Sequence, residues 1–166
     1  SGLGEYPGGA WFCELAAARS LDGLHFAVAQ GLALQLGAGE PGAQIGEAIA
    51  GRGDCLVILD NFEQLAHLAP QTLGRWLDAA AQAKFVVTTR VVLGIPGETI
   101  FDLPPLDAPD ATELFLLRAH AAQHGFAPGP ADREAVASLT LRLDGLPLAI
   151  ELAAARVRVM PPRVLL

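Results

Sequence analysis

The chain has 166 residues, of which 52% are hydrophobic, enough apolar material for one well-filled core and a small second module. No apolar run reaches the roughly 18 residues that a membrane helix requires, and the polar, glycine-rich start SGLGEYPGG does not have the pattern of a signal peptide. The net charge of −7 has the wrong sign for a surface that attracts nucleic acid. We therefore expect a cytoplasmic segment that contacts neither membranes nor nucleic acid directly.

Only two cysteines occur, Cys13 and Cys55, and each lies in an apolar run. Both are therefore expected to be reduced, buried thiols. Two cysteines without a CxxC spacing effectively exclude a zinc site.

The first hundred residues alternate between strand and helix patterns. Apolar runs predict strands over 10–15, 55–60, 84–90 and 99–106. The second and third runs do not alternate with polar residues, which is typical of parallel strands covered on both faces. Helical spacing predicts helices over 21–36 and 43–51. Residues 63–83 are also predicted to be helical, with a break at Pro70.

Three helix patterns follow without a strand. They cover 110–125, 130–145 and 146–159. Asp110 is the expected N-cap of the first helix, and Gly145 is the expected stop of the second. The sequence therefore predicts an α/β unit at residues 1–107 and an all-helical module at residues 108–166.

Polar residues follow two of the predicted strands directly, and ligands bind at the carboxyl ends of parallel strands. Asp60 could hold a magnesium ion, which prefers oxygen ligands, and Glu63 could orient or deprotonate a water molecule. Arg90, at the end of the next strand, could donate to a phosphate. Each residue also has a plain structural interpretation: a turn or N-cap aspartate, a first-turn helix acid and a solvated surface arginine.

Four phrases in a fixed order carry a family resemblance: YPGGAWFCELA, VILDNFEQL, VVTTR and LDGLPLAIELAAARV. They resemble the STAND class of P-loop ATPases, which is related to the NB-ARC domains of plant immune receptors and apoptosome proteins. More narrowly, the chain is similar to the ATPase module of bacterial transcriptional regulators of the LuxR-like and antibiotic-regulatory type. The resemblance extends from Tyr6 to Leu166. It implies a parallel P-loop NTPase-like sheet with flanking helices, which is incomplete here, followed by a small helical lid module.

The resemblance also implies roles for particular residues. Asp60, at the end of LVILD, would be the Walker B aspartate on the magnesium side. Glu63 would be the nearest remaining carboxylate, because Asn61 stands where many relatives have a second acid. The segment Thr88-Thr89-Arg90 would be sensor 1, with Arg90 facing the γ-phosphate.

In the helical module, Gly145 and Pro147 belong to the GLPL motif, which the resemblance places against the adenine, with Pro147 on the base. Without the family, Pro147 would be interpreted as an ordinary helix start. The implied cofactors of the intact parent are ATP or ADP and Mg²⁺. The implied partners are the nucleotide and other domains of the same parent chain, and self-association stays open.

The phosphate loop GxxxxGK[ST] does not occur in the 166 residues, and the single lysine, Lys84, precedes a strand. SGLG at residues 1–4 resembles the latter part of such a loop. Three explanations are open: the chain was cut after the loop, residues between Gly4 and Glu5 are left out, or the protein naturally lacks the loop. We favour an incomplete sequence. As written, the chain is expected to bind ATP weakly or not at all, and to expose a hydrophobic sheet edge at FVVTTR.

Two functions of different classes follow. The first is a nucleotide-dependent switch, whose intact parent would be an ATPase, while hydrolysis by this fragment is expected to be slow or absent. The second is a non-enzymatic oligomerisation or autoinhibitory scaffold with a degenerate ATPase fold. An unrelated α/β enzyme has little support, because the sequence contains no GxSxG serine and its histidines show no metal-ligand pattern.

Overall fold

The computed structural model describes residues 6–166. The predicted remnant of a phosphate loop at residues 1–4 lies outside these residues. The chain divides into two compact units, Ser1–Ile100 and Phe101–Leu166. Every helix within residues 6–166 is too short or too polar to cross a bilayer.

The first unit contains a parallel sheet with the strand order β1-β2-β3. Its elements are β1 (Ala10–Glu14), α1 (Leu21–Gly31), α2 (Pro41–Ala50), β2 (Leu56–Asp60), a 3-10 helix (Phe62–Gln71), α3 (Leu73–Ala79) and β3 (Lys84–Val87). In the register of the sheet, Phe12 lies beside Ile58, and Ile58 lies beside Val86. The predicted α/β class is confirmed, and this sheet is compatible with a P-loop-like fold.

The core of the first unit lies on one face of the sheet. Val57 and Leu59 of β2 and Cys13 of β1 are fully buried there, in one cluster with side chains from the helices. Both crossovers step in the same direction across the sheet, and right-handed crossovers then place their helices on the same face.

The opposite face of the sheet is open in the described part of the chain. The side chains of Phe12 and Val86 are 56% and 49% exposed, and Ile58 between them is partly exposed. The expectation that β2 and β3 are covered on both faces is therefore wrong for these residues. β2 and β3 have continuous apolar sequences because both faces of the sheet carry apolar side chains. The second of these faces is accessible in residues 6–166.

The predicted strand over 99–106 is not formed. Pro104 and Pro105 have no backbone N–H for a sheet ladder, and the N–H of Leu106 donates instead to the carbonyl oxygen of Gly145 at 3.0 Å. Phe101 and Leu103 are exposed. This apolar run is therefore a connecting segment.

The second unit is helical. Its elements are α4 (Ala108–Ala122), α5 (Pro130–Arg142), α6 (Pro147–Ala154), a second 3-10 helix (Ala155–Arg158) and α7 (Pro162–Leu165). Phe115, Val136 and Ile150 are fully buried in its own hydrophobic cluster. A separate hydrophobic core is a property of a distinct domain, so this unit is a second module and not an extension of the first.

The N-cap of α4 is Asp107, which corrects the expectation for Asp110. The Asp107 side chain accepts a hydrogen bond from the N–H of Asp110 at 2.9 Å. The helix can begin before Pro109 because proline is well tolerated in the first turn, where its missing N–H costs nothing. Asp110 thus lies in the first turn.

Cys13 and Cys55 are buried free thiols, as predicted. Burial raises the pKa of Cys13 to about 11, and burial also raises the pKa of Cys55. Both groups are therefore protonated and poorly nucleophilic at neutral pH.

The two faces of the sheet predict opposite responses to a charge. Val57→Lys buries an ammonium group in the core and should lower the free energy of unfolding by at least about 3 kcal/mol. Val86→Lys places the same group on the open face and should cost less than about 1 kcal/mol while reducing self-association. Urea denaturation followed by tryptophan fluorescence, together with size-exclusion chromatography, measures both effects. Equal losses of stability would contradict the one-sided sheet.

The corrected N-cap gives a second prediction. Asp107→Ala should destabilise the second unit by about 1 kcal/mol because it removes the capping acceptor, whereas Asp110→Ala should cost no more than about 0.5 kcal/mol. Denaturation followed by circular dichroism measures this loss. Both tryptophans, Trp11 and Trp76, belong to the first unit, so their fluorescence serves as an internal control. A larger loss of stability for Asp110→Ala would show that Asp110, and not Asp107, is the N-cap of α4.

Candidate functional site

A hydrogen bond joins the carboxyl ends of β2 and β3. Asp60 is the last residue of β2, and Thr88 directly follows β3. The Thr88 hydroxyl donates to Oδ1 of Asp60 at 2.6 Å, while the Thr88 N–H donates to the carbonyl oxygen of Leu59 at 3.0 Å. The continued ladder holds Thr88 beside Asp60, so that the carboxylate has a defined orientation.

Asn61 completes this arrangement. It has left-handed backbone angles, φ 63° and ψ 52°, which asparagine tolerates better than most residues. Its N–H donates to the Thr88 hydroxyl oxygen at 2.9 Å, and its side-chain amide donates to Oδ2 of Asp60 at 3.3 Å. The N-cap position of the following 3-10 helix belongs to Asn61. The carboxylate of Asp60 is therefore held across the strand ends, and the helix-cap interpretation of this residue does not apply.

Glu63 and Arg90 lie at the same edge of the sheet. Nε of Arg90 is 3.8 Å from Oε1 of Glu63, and the Arg90 side chain is 89% exposed. An ion pair this long and this exposed contributes little to stability and does not hold the guanidinium in place. The hydroxyl of Thr89 donates to the carbonyl oxygen of Val91 at 3.1 Å and accepts from its N–H at 3.2 Å, so it shapes the following loop.

The sequence reasoning missed one acid at this edge, Glu14. It is the last residue of β1, lies beside Asp60 in the sheet register and is exposed. The N–H of Leu15 donates to the carbonyl oxygen of Asp60 at 2.9 Å, which continues the pairing past the strand ends. The available signal was that AWFCE, like LVILD, is an apolar run that ends in an acid.

The donor set at this edge limits the kinds of metal ion that it could hold. Residues 6–166 contain no group of three or more histidine, cysteine or acidic side chains that could hold a metal. Each oxygen of Asp60 accepts one hydrogen bond, which leaves lone pairs available. A single carboxylate fits Mg²⁺, which keeps most of its water molecules, and does not fit an all-protein zinc or calcium site.

The two other predicted site residues, Gly145 and Pro147, belong to the second unit. Gly145 has a φ of +64°, and a Cβ at this position would collide with the carbonyl oxygen of Leu106. The Gly145 carbonyl oxygen accepts the N–H of Leu106 at 3.0 Å. Glycine is therefore required both for the backbone conformation and for the close approach of the two segments.

Pro147 is the first residue of α6 and is exposed. It lines an open groove of about 450 Å³. The other lining residues are Leu106, Leu114 and Leu117, which are apolar, and Asp110, Glu113 and Glu151, which are acidic. The apolar part of this groove suits a flat, uncharged ring, whereas its acids disfavour a phosphate.

Several mycobacterial proteins contain a segment similar to this chain. Over 108 residues, the chain is 40% identical to proteins named "Putative HTH-type transcriptional regulator" in Mycobacterium bovis and Mycobacterium tuberculosis. This match covers 64% of the chain and 12% of each regulator. Over 162 residues, it is 31% identical to an uncharacterised Mycobacterium tuberculosis protein, covering 95% of the chain and 40% of that protein. No family model matches the chain.

Gly145 allows a test of the turn that carries the GLPL motif. Gly145→Ala should lower the stability of the second unit by at least about 2 kcal/mol more than Gly125→Ala, because both substitutions strain a positive φ but only the first also creates a collision. Gly125, at φ +79°, has open space around it and is the matched control. Circular dichroism during urea denaturation measures the difference. Equal losses of stability would show that the backbone at Leu106 can move away from the added Cβ without a free-energy penalty.

Proposed function

We propose that this chain is the nucleotide-binding core of an ATP/ADP-dependent switch in a bacterial transcriptional regulator. One observation carries the proposal: the 2.6 Å hydrogen bond from Thr88 to Asp60, which orients a carboxylate at the carboxyl edge of a parallel sheet. Ligands bind at this edge in open α/β folds. The bond also links the end of β2 to the segment that carries Arg90.

Asp60 is assigned to Mg²⁺ in this proposal. When bound, the ion neutralises phosphate charge and orients the phosphate oxygens. Asp60 supplies one oriented ligand, and Thr88 and Asn61 keep its side chain in position. Glu14 adds a further negative charge at this edge, which favours a divalent cation there.

Arg90 and Glu63 are assigned to the phosphate end of the nucleotide. Because the ion pair at 3.8 Å is long and exposed, Arg90 can leave Glu63 for a phosphate at little cost. Glu63 would then be free to hold a water molecule. A guanidinium that pairs with a carboxylate in one state and a phosphate in the other can report which nucleotide is bound.

The second unit is assigned to the adenine. Pro147 offers an exposed ring beside the apolar residues of its groove, and the acids there keep phosphates away. Because the 166 residues contain no GxxxxGK[ST] loop, the proposal assigns tight binding to a longer polypeptide and weak binding to this chain alone.

The regulatory part of the proposal is based on the mycobacterial proteins. Some of them are named as HTH-type transcriptional regulators, and the chain spans only 12% of their length. With a net charge of −7, this segment is unsuited to hold DNA, so the DNA contact is assigned to another part of such a protein. Exchange of ADP for ATP would then act on the DNA-binding part by changing the arrangement of the domains.

A second function has support from one observation. The open face of the sheet presents Phe12, Ile58 and Val86 in one row, and an accessible apolar row is typical of a protein-protein contact. A scaffold that oligomerises or inhibits a neighbouring domain would use this face without nucleotide. Nucleotide binding therefore separates the two functions.

The test uses the longest natural polypeptide that contains these residues, titrated calorimetrically with ATP in the presence and absence of Mg²⁺. Asp60→Asn keeps the side-chain shape and should abolish the Mg²⁺-dependent part of the affinity. Arg90→Gln should weaken ATP binding about tenfold or more and ADP binding less, because one charge-assisted contact is lost. Arg133→Gln, an exposed arginine of α5, is the control and should have no effect. If no ATP binds, or if both site variants behave as the control does, the switch is excluded and the scaffold is favoured.

A further inference from the structure

A second cavity lies in the first unit, between α1, α2 and α3. It has a volume of about 320 Å³. His25, Trp76 and Gly46 form its buried part, Gly42 is partly buried, and Glu40, Glu47 and Arg75 lie at its more exposed side. The sites proposed above use none of these residues.

His25 is a buried polar group that faces this cavity. The residue is only 5% exposed, and its side chain forms no hydrogen bond with another residue in the described part of the chain. Its Nε2 lies 3.0 Å from the position that a Cβ on Gly42 would occupy. The imidazole edge therefore packs beside Gly42 at the cavity wall, where a ring nitrogen without a protein partner can form a hydrogen bond with a ligand.

The exposed side of the cavity carries charges of both signs. Glu40 accepts hydrogen bonds from the N–H groups of Gly42 and Ala43, and these bonds lower the pKa of its carboxyl group, so it is ionised at neutral pH. Arg75 has no carboxylate within 4.0 Å among residues 6–166, and Glu47 has no cationic partner there either. The cavity therefore presents a guanidinium and an imidazole as donors, and two carboxylates as acceptors.

This set of groups discriminates between ligand classes. A simple anion would be attracted by Arg75 but repelled by the two carboxylates. A simple cation would be attracted by the carboxylates but repelled by Arg75. A ligand with one charge of each sign can pair with groups of both signs at once. The remaining wall is mostly apolar, formed by Leu21, Ala43, Ala79 and Trp76 together with the neutral, polar Gln71. A volume of about 320 Å³ lies at the small end of the range for ligand pockets, which favours a small molecule over a nucleotide.

We propose that the cavity between α1, α2 and α3 binds a small zwitterion of the aliphatic α-amino acid class. Its carboxylate contacts Arg75 and His25, its ammonium group contacts Glu40 and Glu47, and its side chain packs on the apolar wall. This site is independent of the nucleotide assignment, because it lies among helices and uses no residue of the strand edge.

The experiment is a calorimetric titration of the 166-residue chain with three matched probes. L-valine carries both charges, isobutylamine lacks the carboxylate, and isovalerate lacks the ammonium group. We expect saturable binding of L-valine, and affinities at least about tenfold lower for the two analogues, since each loses one charged hydrogen-bonding partner. Binding should also change the fluorescence of Trp76 in a Trp11→Phe variant.

Two variants test the assignment of the groups. Arg75→Gln and Glu47→Gln alter exposed side chains, so they should leave the fold intact, and each should weaken L-valine binding about tenfold. Arg133→Gln in the second unit is the control and should bind as the unaltered chain does. The proposal is overturned if L-valine shows no saturable binding, if either single-charge analogue binds as tightly, or if Arg75→Gln and Arg133→Gln give the same affinity.

Discussion

Strand β2 pairs with both other strands of the described sheet, and the first unit depends on this central position. Its alternate residues Val57 and Leu59 are fully buried against the helices, so a slip of one residue would exchange the core face for the open face. The same register places Asp60 at the carboxyl edge beside Glu14 and Thr88. The apolar packing that fixes β2 therefore also determines where the carboxylate lies.

The core of the first unit lies on one face of the sheet only, so the two faces of the sheet have different roles. The helix-covered face provides the stability and contains the small cavity around His25. The open face presents Phe12 and Val86, which would be costly to leave in water permanently. Parallel sheets are normally covered on both faces. The switch and the scaffold differ in whether the strand edge or this open face carries the function.

In the second unit, the residues of the GLPL motif have a structural role, and binding is proposed for one of them. Gly145 lets the backbone pass close to Leu106, and Pro147 begins the next helix while remaining exposed beside a groove. The helix-start interpretation of Pro147 is therefore correct, and it does not conflict with the proposed contact to adenine. The acids along the groove limit that contact to an uncharged part of a ligand.

The sequence by itself determined the α/β class, the three strands that form, the buried thiols and the polar strand ends, because apolar periodicity and turn residues act over a few neighbouring positions. It did not determine that 99–106 is a connecting segment, since this depends on a backbone bond between Leu106 and the distant Gly145. It also missed Glu14, whose proximity to Asp60 follows from strand order and register. The cavity at His25 could not be inferred either, because it depends on the placement of α3 beside α1 and α2, and residues 51–72 separate α3 from these helices. Contacts between distant segments arise only when the whole chain packs, and a local pattern contains no information about which segments will meet.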